Sequence, residues 1–223
     1  MRKTAIVPGE YFHIFNRGNN KQQIFFEKAD WSRFMFMILH FQSPLVFLHP
    51  IRHVTHFIRY TTFGISAEEM NEIIATRYVE LVCFALMPNH FHLLVKELHE
   101  NGTARYMQRI LNAHTKYINA KKNVSGHLFQ GPFKAVHVEN NDQLLYLSTY
   151  IHRNPRELKE WRGKEHLFPW SSYQDYTEKN RWRELLARGI ISDQFKNPKE
   201  YQHFCHTSPA KENLDNELLI DML

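Results

Sequence analysis

The stretch Val79-Glu80-Leu81-Val82-Cys83-Phe84-Ala85-Leu86-Met87-Pro88-Asn89-His90-Phe91-His92-Leu93-Leu94-Val95-Lys96-Glu97 reads as two strands joined by a tight turn. Both arms are runs of apolar and aromatic residues, and Pro88-Asn89 breaks them. Side chains alternate between faces along a strand, so His90 and His92 point the same way. Two imidazoles on one face of a rigid strand can supply two metal ligands, or two polar contacts to one phosphate. The chain has 15 histidines, so a His-x-His pair also arises by chance. The plain alternative is a strand pair satisfied by backbone or solvent.

Outward from this hairpin, Tyr11 to Asn16 reads as a first strand, followed by a polar turn from Arg17 to Lys21. Asp30 is placed to cap an apolar helix through Trp31 to Leu39. Residues 43–78 are long for a connection and rich in His, Phe and Pro, which marks an insertion; Ser66 to Glu69 carries a capping box for a short helix. After the hairpin, Asn101-Gly102-Thr103 opens a long helix to about Lys122. Tyr106, Ile110, Ala113 and Tyr117 form one face of it, with Arg105, Arg109, Lys116 and Lys121 largely off that face. Gly126 to Gly131 is a loop, Phe133 to Val138 a strand, and Asp142 starts a helix that should end near Pro155. The order β-α-β-β-α-β-α predicts an α+β fold. Its first six elements match a ferredoxin-like split βαβ core, an antiparallel sheet with helices on one face. Residues 1–176 form the expected catalytic unit, and 177–223 an extension of unassigned role.

The formal net charge of +5 favours an acidic partner, of which nucleic acid is the commonest. Cys83 and Cys205 make no disulfide framework, so a reducing, cytoplasmic compartment is expected. No apolar run approaches the roughly 18 residues of a membrane span. His49, His53 and His56 have helical spacing that imitates a zinc site, but no Cys or acidic partner is near in sequence, so a structural insertion is preferred.

The helix before Pro155 adds chemistry to the histidine pair. Tyr150 and Asn154 stand at i and i+4, on one face. A tyrosine can act as a nucleophile, and an Asn amide oxygen can bind a hard cation. Each has a plainer reading, a packed core tyrosine and a helix stop. Tyr117 is the rival nucleophile, with Lys121 rather than a metal ligand one turn on.

Four short motifs occur in order: Pro88 to Val95, Gly126-His127-Leu128-Phe129-Gln130-Gly131, Tyr150-Ile151-His152-Arg153-Asn154-Pro155, and Trp170-Ser171-Ser172-Tyr173. Together with Tyr11 to Gly18, this pattern resembles the single-tyrosine HUH transposases of the insertion-sequence-200 type, most nearly their REP-associated branch. The resemblance spans roughly residues 8 to 176. It implies that His90 and His92 are the HUH pair, that Tyr150 is the nucleophile and that Asn154 is the third metal ligand. It also implies a Mg²⁺ or Mn²⁺ cofactor and single-stranded, hairpin-containing DNA as substrate. Cleavage and rejoining would pass through a 5′-phosphotyrosine, and the protein would be a monomer or homodimer. The other classes to weigh are a non-catalytic nucleic-acid-binding relative and a small replication or relaxase enzyme. Candidate DNA contacts are Arg17, Arg105, Arg109, Lys116, Lys121, Lys122, Lys134, Arg153 and Arg156. Phe129, Phe133, Trp170 and Tyr173 are the aromatics on which bases could stack.

Overall fold

The computed structural model describes residues 5–214. Four strands form one antiparallel sheet: β1 (Tyr11–Arg17), β2 (Val79–Met87), β3 (His90–Glu97) and β4 (Lys134–His137). Their order across the sheet is β2-β3-β1-β4, the split βαβ arrangement expected from the element order. The hairpin forms as read, with Met87 opposite His90 and a two-residue turn at Pro88-Asn89. In the central strands Phe15 pairs with His92 and Arg17 with His90, so these four side chains share one face.

Helices cover both faces, which is why β2 and β3 are apolar almost without interruption. On one face lie α1 (Lys28–His40) and α4 (Gly102–Lys122). There Phe34 of α1 meets Phe91 and His114, with ring centroids 5.2 and 4.9 Å apart. The buried face of α4 runs through Tyr106, Met107, Ile110, His114 and Ile118, so it is rotated from the expected stripe, and Ala113 and Tyr117 fall at its margin. The start of α1 also differs. Glu27 is the cap, and Asp30 sits one turn in, accepting the backbone N–H groups of Phe26 and Glu27.

Residues 43–78 hold two further helices, α2 (Pro50–Tyr60) and α3 (Ala67–Thr76), the latter opened by the expected Ser66–Glu69 box. The α2 histidines serve structure: His53 and His56 each bond through Nδ1 to a backbone carbonyl, those of Phe63 and Thr62.

The second sheet face is covered by α5 (Asn141–Arg153) together with α6 (Tyr173–Thr177), α7 (Gly189–Ser192), α8 (Pro198–Thr207) and α9 (Ala210–Asn213). Tyr176, Trp182, Leu186, Tyr201, Cys205 and Leu214 belong to the same hydrophobic core as the sheet, so the described part of the extension is built into the fold. The sequence also places apolar residues at Leu214, Leu218, Leu219 and Met222, beside acidic residues up to Asp221; Leu214 packs into this core, and the others lie outside the described residues.

The Trp170 to Tyr173 motif clips onto the outer edge of β2. Leu86 N–H donates to the Trp170 carbonyl at 2.9 Å, and Ser172 N–H to the Phe84 carbonyl at 2.9 Å. Ser172 Oγ in turn accepts the Phe84 N–H at 2.8 Å. Pairing an edge strand in this way removes a template for aggregation. The Gly126 to Gly131 motif does comparable work at the end of β1, where Gln130 N–H donates to the Arg17 carbonyl and Asn16 Nδ2 to the Gly131 carbonyl.

Candidate active site

Strand β3 and helix α5 bring the four expected chemical groups together. His90 and His92 project from the same face of β3, with ring centroids 5.1 Å apart. His90 Nε2 lies 3.0 Å from Asn154 Oδ1, and its Nδ1 is 2.7 Å from Asn89 Oδ1. The Tyr150 ring meets the His92 ring edge-on at 5.3 Å. The helical geometry of α5 continues through Asn154 into a 3₁₀ turn at Asn154–Glu157. Tyr150 and Asn154 therefore remain one turn apart on the same face despite Pro155. All four residues are buried.

A fifth residue belongs to the site and escaped the sequence reading. His13 of β1 lies beside His92, its Nε2 2.9 Å from His92 Nδ1 with both residues fully buried. It also meets Tyr150 edge-on at 6.2 Å. Alternation along β1 puts His13 on the Phe15 face, and only the β1–β3 register reveals that this is the His92 face.

The donor set suits a hard or borderline divalent cation. Among the described residues no three His, Cys, Asp or Glu side chains cluster as a metal site. What converges here is two imidazoles and an amide oxygen. The 3.0 Å separation of His90 Nε2 and Asn154 Oδ1 matches an octahedral edge, about 3 Å for bonds of ~2.1 Å. Nitrogen and oxygen donors together fit Mn²⁺ comfortably and Mg²⁺ acceptably.

The expected DNA contacts divide by position. Arg17 stands on the site face opposite His90, and exposed Lys134 shares that face through its pairing with Phe15. Arg153 lies at the end of α5 and lines a cavity of about 360 Å³ with Tyr150 and Asn154. Arg105 and Lys116 are exposed, but α4 lies across the sheet from the histidines.

Arg109 faces inward, a correction to its reading as a DNA contact. Its guanidinium donates to the carbonyls of Ser43 and Leu45 and to Tyr78 Oη, and lies 4.6 Å from the Phe41 ring centre. Trp170 is partly buried, with its ring stacked on Trp31 at 5.5 Å. Phe129, Phe133 and Tyr173 are buried core rings. Lys121 is engaged by Glu27 and Asp30, each at 2.6 Å.

The rival nucleophile is committed elsewhere. Tyr117 donates its hydroxyl to Asp30 at 2.9 Å, on the α1/α4 face. Burial, then the bond to Asp30, raises its pKa and makes the phenolate harder to form. His152 and His114 are structural as well. His152 bonds Tyr201 Oη at 2.6 Å and Ser172 Oγ at 2.9 Å, and burial lowers its pKa to about 3. Burial likewise lowers His114 to about 4, only partly opposed by its bond to the Ile24 carbonyl.

Residues 56–154 match the family model of IS200-like transposases. The matched stretch contains β2, β3 and all of α5 through Asn154. The fold comparison agrees. A solved structure described as a REP-associated tyrosine transposase bound to a REP hairpin superposes with a TM-score of 0.52. It covers 86% of this chain and 87% of that one, and at 16% identity the likeness is one of fold. No curated protein gives a significant match. Among the described residues no helix is long and apolar enough to cross a membrane.

Proposed function

We propose that this chain is an IS200-like transposase that cuts and rejoins single-stranded, hairpin-containing DNA, with Tyr150 as the attacking group. The observation that carries this reading is the convergence of Tyr150, His90, His92 and Asn154 in one buried cluster between β3 and α5. His90, His92 and Asn154 would hold a Mg²⁺ or Mn²⁺ ion, His92 through Nε2, because its Nδ1 faces His13. When bound, the ion supplies charge relief at the scissile phosphate.

The side chains of the site do the rest. The β3 scaffold fixes the two imidazoles, and α5 fixes the phenol against them. Tyr150 Oη gives up its proton as it bonds to phosphorus, the bond from phosphorus to O3′ breaks, and the departing O3′ takes up one proton, so none is gained or lost overall. The product is a 5′-phosphotyrosine. Phosphate ester number is unchanged, so a second 3′-hydroxyl can reverse the step and join strands. Arg17 and Lys134, on the site face, are suited to the backbone of the incoming strand.

The test is a covalent band. Labelled hairpin oligonucleotides from the flanks of the protein's own gene are incubated with it and Mn²⁺, then run on a denaturing gel. The wild type should give a shifted adduct that EDTA abolishes. Tyr150→Phe should give none while still binding the DNA. An adduct in Tyr150→Phe would refute the assignment, and DNA binding indifferent to EDTA with no cleavage under any divalent ion would favour a non-catalytic binder.

A further inference from the structure

The extension builds one wall of the cavity beside Tyr150. Arg153 and Arg156 come from the end of α5 and the turn after it, while His206 and Thr207 come from the end of α8. We infer that this cavity is a subsite for the DNA strand that stays attached to the tyrosine, the strand downstream of the cut. The inference rests on the reading of Tyr150 as the attacking group.

The chemistry is that of a phosphate site with room for a nucleotide. The volume of about 360 Å³ falls within the range of roughly 300–1,000 Å³ common for small-ligand sites. Its lining includes two arginines, Arg153 and Arg156, against one acidic residue, Glu157, together with His206 and Thr207. A phosphodiester matches that set, because arginine forks fit phosphate oxygens.

The wall is fixed in place. Arg153 Nη1 donates to the Ser208 carbonyl at 3.1 Å, and His152 ties α5 to Tyr201 of α8 at 2.6 Å. A preformed wall does not have to be ordered when DNA arrives.

The strand polarity follows from in-line geometry. In the transition state the attacking tyrosine oxygen and the departing O3′ lie on opposite sides of phosphorus. The upstream strand, which carries O3′, therefore leaves on the side away from Tyr150. The cavity is lined by Tyr150 and Asn154 and, among the described residues, by neither His90 nor His92. It lies on the tyrosine side, which the O3′ strand leaves clear, and the downstream strand, still bonded to phosphorus through an equatorial 5′-oxygen, is the one that can turn into it.

The test uses the full chain and a labelled single-stranded oligonucleotide with either a 5′-phosphate or a 5′-hydroxyl, a mimic of the downstream piece. Binding is read by fluorescence anisotropy. The wild type should bind the phosphorylated form about tenfold more tightly, with a steeper salt dependence. Arg156→Ala with His206→Ala should abolish that preference and leave the melting temperature unchanged. Arg105→Ala, on the far side of the sheet, should keep it. No preference in the wild type, or a preference that survives the double substitution, overturns the inference. The covalent-adduct gel reports on Tyr150 separately, so an adduct without the 5′-phosphate preference would sink the subsite alone.

Discussion

Replacing His13 with Phe would expose how far the site depends on a residue outside the motifs. Phe keeps the ring and most of the volume, so the contacts with Phe15 and Tyr150 survive. What disappears is the 2.9 Å bond to His92 Nδ1. That bond fixes which way the His92 imidazole faces, and with His92 Nδ1–H as the donor it leaves the Nε2 lone pair for a metal. Removing the partner that orients a metal-binding histidine typically costs 10–100-fold in affinity, which is about 1.4–2.7 kcal/mol. The unpaired buried nitrogen left on His92 adds about 1–3 kcal/mol of destabilisation. Mn²⁺ titration of the full chain, followed by electron paramagnetic resonance of the free ion, measures the first effect, and thermal unfolding in EDTA measures the second. His13→Gln, which retains a hydrogen-bonding group, should recover part of the Mn²⁺ affinity. If His13→Phe is folded and binds Mn²⁺ within threefold of the wild type, the positioning argument is wrong.

Two further substitutions separate structural cations and anions from functional ones. Asp30 is fully buried and accepts bonds from Phe26 N, Glu27 N, Tyr117 Oη and Lys121 Nζ. Burial alone would raise its carboxyl, but Lys121, the backbone groups and Tyr117 outweigh it and hold the pKa below its usual value. A depressed carboxyl stabilises the fold above its unfolded pKa, near ~4, and that contribution fades as pH falls through the lower folded value. Asp30→Ala should cost about 3 kcal/mol at neutral pH, the low end for a broken buried pair because Lys121 is partly exposed. The gap from wild type should narrow in acid, as denaturant unfolding at several pH values would reveal; a pH-independent gap contradicts the charge argument. Arg109→Met should lower stability by about 2–3 kcal/mol through lost bonds to the Ser43 and Leu45 carbonyls. DNA affinity should stay within twofold of wild type, and the reverse pattern would return Arg109 to the DNA surface.

The hairpin was legible because its apolar arms and its Pro-Asn break are local. Capping at Ser66 was legible for the same reason, and Tyr150 with Asn154 because helical spacing survives Pro155. His13 was not legible, since its place depends on pairing between strands some 80 residues apart in sequence. Arg109 and Lys121 were misread for a different cause. A cation on an amphipathic helix has the same spacing whether it meets water, a carbonyl or a carboxylate, and only the docked neighbour decides. The insertion resisted reading because α2 buries little of its own surface: Val54 and Phe57 face inward, while Ile51 and Ile58 are exposed. Phe129, Phe133 and Tyr173, expected to stack on bases, fill the layers around the sheet instead.

The single turn between Tyr150 and Asn154 has a mechanical consequence. The phenol and the amide ride on one rigid helical segment, while both motif histidines ride on one strand. A swing or slide of α5 that withdrew the phenol would carry Asn154 Oδ1 away from His90 by a similar distance. No rigid-body movement of α5 therefore withdraws the phenol and leaves the cluster whole. On the role proposed for Tyr150, moving a DNA-bearing tyrosine through α5 would dismantle the arrangement that made the bond.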